Sequence, residues 1–101
     1  MARYLIEVAH APDPLACLRA IEVFLTTGSH YLTHCDWGCR DGEHKAWITV
    51  ETDSKDEARR IVPPAFRAHA KIVQLDKFTL QEVDSMLAEH TGRAVPGESL
   101  R

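Results

Sequence analysis

With 101 residues the chain has the length of one domain and can build one core with little surplus. A hydrophobic fraction of 45%, a charged fraction of 27% and a formal net charge of −3 are those of a soluble globular protein, and they exclude the basic stripe of a nucleic-acid-binding surface. No apolar run approaches membrane-span length, and the first residues reach Glu7 without the apolar region of a signal peptide, so the expected location is the cytoplasm. Three cysteines cannot all pair within one chain, which favours free thiols.

Residues 3–9 alternate and are rich in strand formers, with Tyr4, Ile6 and Val8 on one side and Leu5, Glu7 and Ala9 on the other. Asp13-Pro14 supplies an N-cap and a first helical residue. Leu15, Leu18, Ile21, Phe24 and Leu25 then recur at helical spacing, and Gly28 is placed to end that helix. Residues 29–38 and 44–52 predict two strands joined at Asp41-Gly42, a strong two-residue hairpin signal. Asp53-Ser54 caps a second helix carrying Ala58, Ile61 and Val62, which Pro63-Pro64 stops. Residues 70–78 predict a fourth strand. Thr79-Leu80-Gln81-Glu82 is a capping box that opens a third helix to about His90.

The order β-α-β-β-α-β plus a terminal helix is the ferredoxin-like arrangement, an α+β fold with a four-stranded antiparallel sheet and both crossover helices on one face. Residues 1–91 form the expected domain and 92–101 a loose polar tail. The other sheet face is left open. A small domain usually covers such a face with a partner, so the expected assembly is a homodimer packed sheet against sheet. Arg59, Arg60, Arg67 and Lys71 are the one basic concentration, read as a solvated face diluted by Asp56 and Glu57.

Residues 30–44 hold three of the six histidines and two of the three cysteines. This density suggests a metal site, but hairpin geometry divides it. A tight Asp41-Gly42 turn pairs Cys39 with His44, Trp37 with Ala46, and Cys35 with Ile48, all toward the helices. Asp36 with Trp47 and His34 with Thr49 fall on the open face. Cys35 and Cys39 then lie about 13 Å apart along one strand, too far to share an ion whose ligands stand about 2.0–2.3 Å away. Two routes to a metal remain. Gly38 can bulge the strand and re-aim Cys39. Alternatively, Cys39 and His44 supply two ligands and a dimer mate the rest. Against both stands the simpler reading of Cys39 and His44 as an ordinary cross-strand pair. His10, His69 and His90 are read as surface residues.

The same register collects Glu7, His34, Asp36, Trp47, Thr49 and Gln74 on the open face as a candidate ligand pocket. Glu7 with His34 offers a general base and a proton-relay partner, and Trp47 a surface for stacking. A water-filled polar interface, with Glu7 paired to Lys45 or Arg3, is the alternative.

Tyr4-Leu5-Ile6-Glu7-Val8, the turn at Gly28-Ser29-His30, and the strand running into a capped helix over residues 46–58 together resemble the dimeric α+β-barrel group of ferredoxin-like proteins. The likeness covers about residues 3–78 and is one of architecture. It implies a fold and a dimer. The group includes muconolactone-isomerase-like and antibiotic-monooxygenase-like enzymes and small nickel-binding proteins. Three expectations follow: a small homodimeric protein binding a ligand at the open sheet face, a nickel-, zinc- or copper-binding protein using Cys39 and His44, and an isomerase or cofactor-free oxygenase using Glu7 and His34. Neither a cofactor nor a substrate is identified by the sequence.

Overall fold

The computed structural model describes residues 1–27 and 29–92. The helix-ending role expected of Gly28 and the tail beyond Gly92 lie outside the described residues. The fold is α+β, with a four-stranded antiparallel sheet in the order β2-β3-β1-β4. Its strands are β1 (Ala2–Ala9), β2 (Asp36–Trp37), β3 (Lys45–Thr52) and β4 (Ala70–Leu75), and its helices are α1 (Pro14–Thr26), α2 (Lys55–Ile61) and α3 (Leu80–Thr91).

β1 is central and sets the parity of the sheet. Tyr4, Ile6 and Val8 are buried, and their β3 partners Val50, Ile48 and Ala46 share that face. Ile72 joins from β4 opposite Ile6. Phe24 of α1 and Ala58 of α2, followed by Val62, close the core over this side. Phe24 is the pivot, with ring centroids 5.0 Å from Trp37 and 5.5 Å from Phe66, both edge-on. Arg3, Leu5, Glu7, Trp47 and Val73 carry the opposite parity and form the face that no helix of the core covers.

The helix caps follow the residues that predict them. Asp13 accepts from the Leu15 N–H, Ser54 from the Glu57 N–H and Thr79 from the Glu82 N–H. Glu57 also accepts from the Asp53 N–H, one residue before the N-cap, which ties down the chain as it enters α2. α1 presents a different face from the one its leucines suggest. It buries Cys17, Ala20 and Phe24, and leaves Leu15, Leu18 and Leu25 exposed, Leu18 by 65%. Small residues at 17 and 20 let the helix approach the sheet closely.

The hairpin differs from expectation in its turn and agrees in its register. Asp36 pairs with Trp47 and Trp37 with Ala46, as the sequence predicts. β2 is short, however: Leu32–His34 forms a 3-10 turn in place of a strand. The Asp41-Gly42 turn is also wider than two residues. Cys39–Asp41 is a 3-10 turn closed by Gly42 at φ 83°, a left-handed conformation that favours glycine. Gly38 ends the strand by donating to the Lys45 carbonyl and accepting from the Glu43 N–H.

The expected basic surface has a structural use. The Arg59 guanidinium donates to the carbonyls of Arg67 and Ala70, and that of Arg67 to those of Val62 and Arg60. Two cations therefore tie the end of α2, at Arg60 and Val62, to the segment that leads into β4, at Arg67 and Ala70.

A side chain at Gly38 has no room. A Cβ there would lie 2.7 Å from Trp47 Cζ3 and 2.8 Å from the Glu43 carbonyl oxygen. Gly38→Ala is expected to destabilise the fold by about 1–3 kcal/mol, measured as a lowered urea midpoint at unchanged m-value.

Candidate metal centre

The β1–β3 ladder runs one step beyond the strands. The His10 N–H donates to the His44 carbonyl at 3.1 Å, which continues the register of Ala9 opposite Lys45. Parity then turns both imidazoles toward the helix side, and their rings meet edge-on with centroids 5.8 Å apart. Cys17 lies in the first turn of α1, where its N–H donates to the Asp13 carbonyl, and it is buried. Gly38 and the 3-10 turn that follows bring Cys39 back over the same end of the sheet.

Four side chains from three segments, the end of β1, the start of α1 and the hairpin, converge there. His10 Nε2 stands 2.8 Å from Cys17 Sγ and 3.1 Å from Cys39 Sγ, and Cys17 Sγ stands 3.7 Å from His44 Nδ1. All four atoms lie within 4.8 Å of one another. A tetrahedron with zinc–nitrogen and zinc–sulfur bonds has edges of about 3.3–3.8 Å. The separations of 2.8, 3.1 and 3.7 Å and the outer limit of 4.8 Å bracket that range, so the four atoms are close enough to share one ion once His10 Nε2 and the two sulfurs move apart.

The electrostatics act in opposite directions on the two ligand types: they favour a neutral His10 and hold Cys39 as a thiol. Burial, followed by the neighbouring His44, lowers the His10 pKa and favours the neutral imidazole with a free lone pair. Burial, then the Cys17 thiol, pushes Cys39 up to about 11. The metal-free centre thus holds a protonated Cys39 thiol, and a bound dication would displace that proton. The His10 ring also packs 5.8 Å from Trp37, which orients it. Together with Ala16, Arg19, Val23 and Phe66, His10 lines a cleft of about 560 Å³ beside α1.

Cys39 and His44, the ligands anticipated from sequence, are therefore brought together. His10 and Cys17 of the same chain join them in the cluster. His10, read from sequence as a surface residue, is a member of the centre, and Cys17 had no assigned role. Both carried a faint signal. His10 continues the inward parity of Ile6 and Val8, and Cys17 falls on the 17-20-24 stripe that α1 buries. Cys35 stays apart, half-buried against the core with its thiol 4.0 Å from the Tyr31 carbonyl.

The six open-face residues do not assemble as one pocket. Glu7 accepts a hydrogen bond from Trp47 Nε1 at 3.0 Å and lies 3.9 Å from Lys45 Nζ. Its carboxylate is committed to these partners, the arrangement the polar-interface alternative describes. His34, Asp36 and Thr49 border a separate depression with His30 and Tyr31. There the His30 and His34 rings lie 4.7 Å apart and His34 Nδ1 contacts the His30 carbonyl. Gln74 pairs with Tyr4, and so belongs to the opposite face of the sheet from Glu7. The reason is parity: Ile72 opposite Ile6 turns the even-numbered residues of β4 toward the helix side.

No protein-family model, curated protein or solved structure matches the chain. Among the described residues, no helix is long and apolar enough to cross a membrane.

Burial, then the Asp36 carboxylate, raises the Cys35 thiol from 9.0 to about 11. A raised pKa stabilises the fold below the unfolded value, and that contribution is lost as pH climbs through the folded one. Metal-free protein is expected to lose stability between pH 9 and 11, and Cys35→Ala to lose less, in urea melts across that window.

Proposed function

We propose that this is a transition-metal-binding protein and that His10, Cys17, Cys39 and His44 hold the ion. The observation that carries the reading is the mutual approach of the four ligand atoms to within 4.8 Å. Two thiolates and two imidazoles in a tetrahedral array suit zinc best, with nickel and copper as competitors for the same donors. Four protein ligands leave no open position for a reacting water, so the role is structural or metal-holding. The ion would clamp the end of β1, the start of α1 and the hairpin at one point. In a chain this short such a clamp contributes directly to folding. The small-ligand and enzyme readings have less support, because Glu7 is engaged by Trp47 and Lys45 and Gln74 faces away.

The ferredoxin-like arrangement, resembling the dimeric α+β-barrel group, belongs to the same proposal. Its support is the central position of β1 between β3 and β4, with antiparallel neighbours throughout. A second copy covering the bare sheet face completes it, supported by the half-buried Leu5, Val73 and Leu75 on that face.

Protein expressed without a histidine tag is expected to carry one zinc per chain by elemental analysis, and cobalt substitution to give the thiolate charge-transfer and ligand-field bands of a tetrahedral site. Cys17→Ala and Cys39→Ala should each weaken binding by more than about 100-fold, while Cys35→Ala leaves it intact. Because the Cys39 proton must leave, affinity should fall by at least about tenfold per pH unit on acidification below neutrality. Absence of stoichiometric metal together with no uptake of zinc, nickel or copper overturns the proposal.

A further inference from the structure

α3 has no extensive contact with any other element. It is capped at its start by Thr79, yet a 12-residue helix standing alone in water is marginal. It is also amphipathic: Val83, Met86, Leu87 and His90, with Phe78 from the preceding segment, line an apolar groove of about 320 Å³. Phe78, Leu80, Met86 and Leu87 are all exposed, Leu80 by 76%. The described fold is correspondingly elongated, 62 Å by 29 Å by 20 Å. A helix built this way is stable only when something covers the stripe.

The same chain carries a matching surface. The bare face of the sheet presents Leu5, Val73 and Leu75 along the β1–β4 pair. Arg3 and Lys71 flank them, and neither makes an ion pair among the described residues. Arg3 Nε is buried without a hydrogen-bond partner, an acceptor demand that the fold leaves unmet. The face as a whole is charge-balanced, with Arg3, Lys45 and Lys71 against Glu7, Asp36 and Glu51. α3, which contains Glu82, Asp84 and Glu89 and no lysine or arginine, can supply the acceptor that Arg3 lacks. The lengths agree as well. Twelve residues of helix span about 18 Å, and the six residue pairs from Arg3 to Val8 span about 20 Å.

Each copy therefore has one uncovered helix and one uncovered face, and a two-fold pairing satisfies both at once. We infer that α3 is an exchanged arm, and that the α3 of each protomer lies across the bare sheet face of a second copy. This inference rests on the homodimer reading and names the covering element as a helix, where the sequence suggests a second sheet.

The test uses full-length protein in sedimentation equilibrium, with circular dichroism to confirm that each variant is folded. The wild type is expected to be a dimer. Leu87→Glu on the arm and Val73→Glu on the face should each sediment as a folded monomer. Mixing the two variants should restore a heterodimer, because the intact arm of one fits the intact face of the other. A wild-type monomer overturns both the inference and the homodimer reading. A dimer that survives Leu87→Glu leaves the homodimer reading standing and overturns the exchange. Monomeric variants that do not recombine also overturn it, and point to arm packing against arm.

Discussion

The antiparallel pairing of β1 with β3 is the constraint on which the rest of this structure depends. Its register, from Ala2 opposite Thr52 to Ala9 opposite Lys45, decides which residues face the core. Continued by one hydrogen bond, it sets His10 beside His44. Had the pairing slipped by one residue, the buried set of Tyr4, Ile6 and Val8 would face outward. The cost of that inversion makes the register strongly specified. The geometry of the centre is thus a by-product of the same hydrophobic pattern that forms the core.

The other two members of the cluster, Cys17 and Cys39, depend on close approach. Cys17 and Ala20 are small, so α1 settles near the end of the sheet while Phe24 packs between Trp37 and Phe66. Gly38 has no space for a Cβ beneath the Trp47 ring, and the 3-10 turn after it carries Cys39 back over the sheet. Both sides of the hairpin end are therefore governed by missing side-chain volume. A metal bound there would join three segments that the core alone holds at its periphery, where a small domain has few other contacts to spare.

The opposite end of the molecule poses a different problem. The core covers one side of the sheet, and α3 and the bare face remain outside it. Polar groups on that face are only partly served: Glu7 has Trp47 and Lys45, whereas Arg3 Nε has nothing. This asymmetry separates the end that gathers His10, Cys17, Cys39 and His44 from the bare face.

Local chemistry was readable from the residues alone. The caps at Asp13, Ser54 and Thr79, the stop at Pro63-Pro64, the alternation of β1 and the pairing of Trp37 with Ala46 follow from short-range rules and hydrophobic parity. By itself the sequence also singled out Cys39 and His44 as the hairpin residues to watch. It could not supply their partners, because His10 and Cys17 are 29 and 22 residues from Cys39 and no spacing motif links them. It also placed Gln74 on the wrong face, since the parity of an edge strand depends on which residue opposes Ile6. Only the tertiary structure decided these points. Metal ligation and sheet parity are set by distances between segments, and those distances arise when β1 pairs with β3 and β4 and α1 packs down on its small residues.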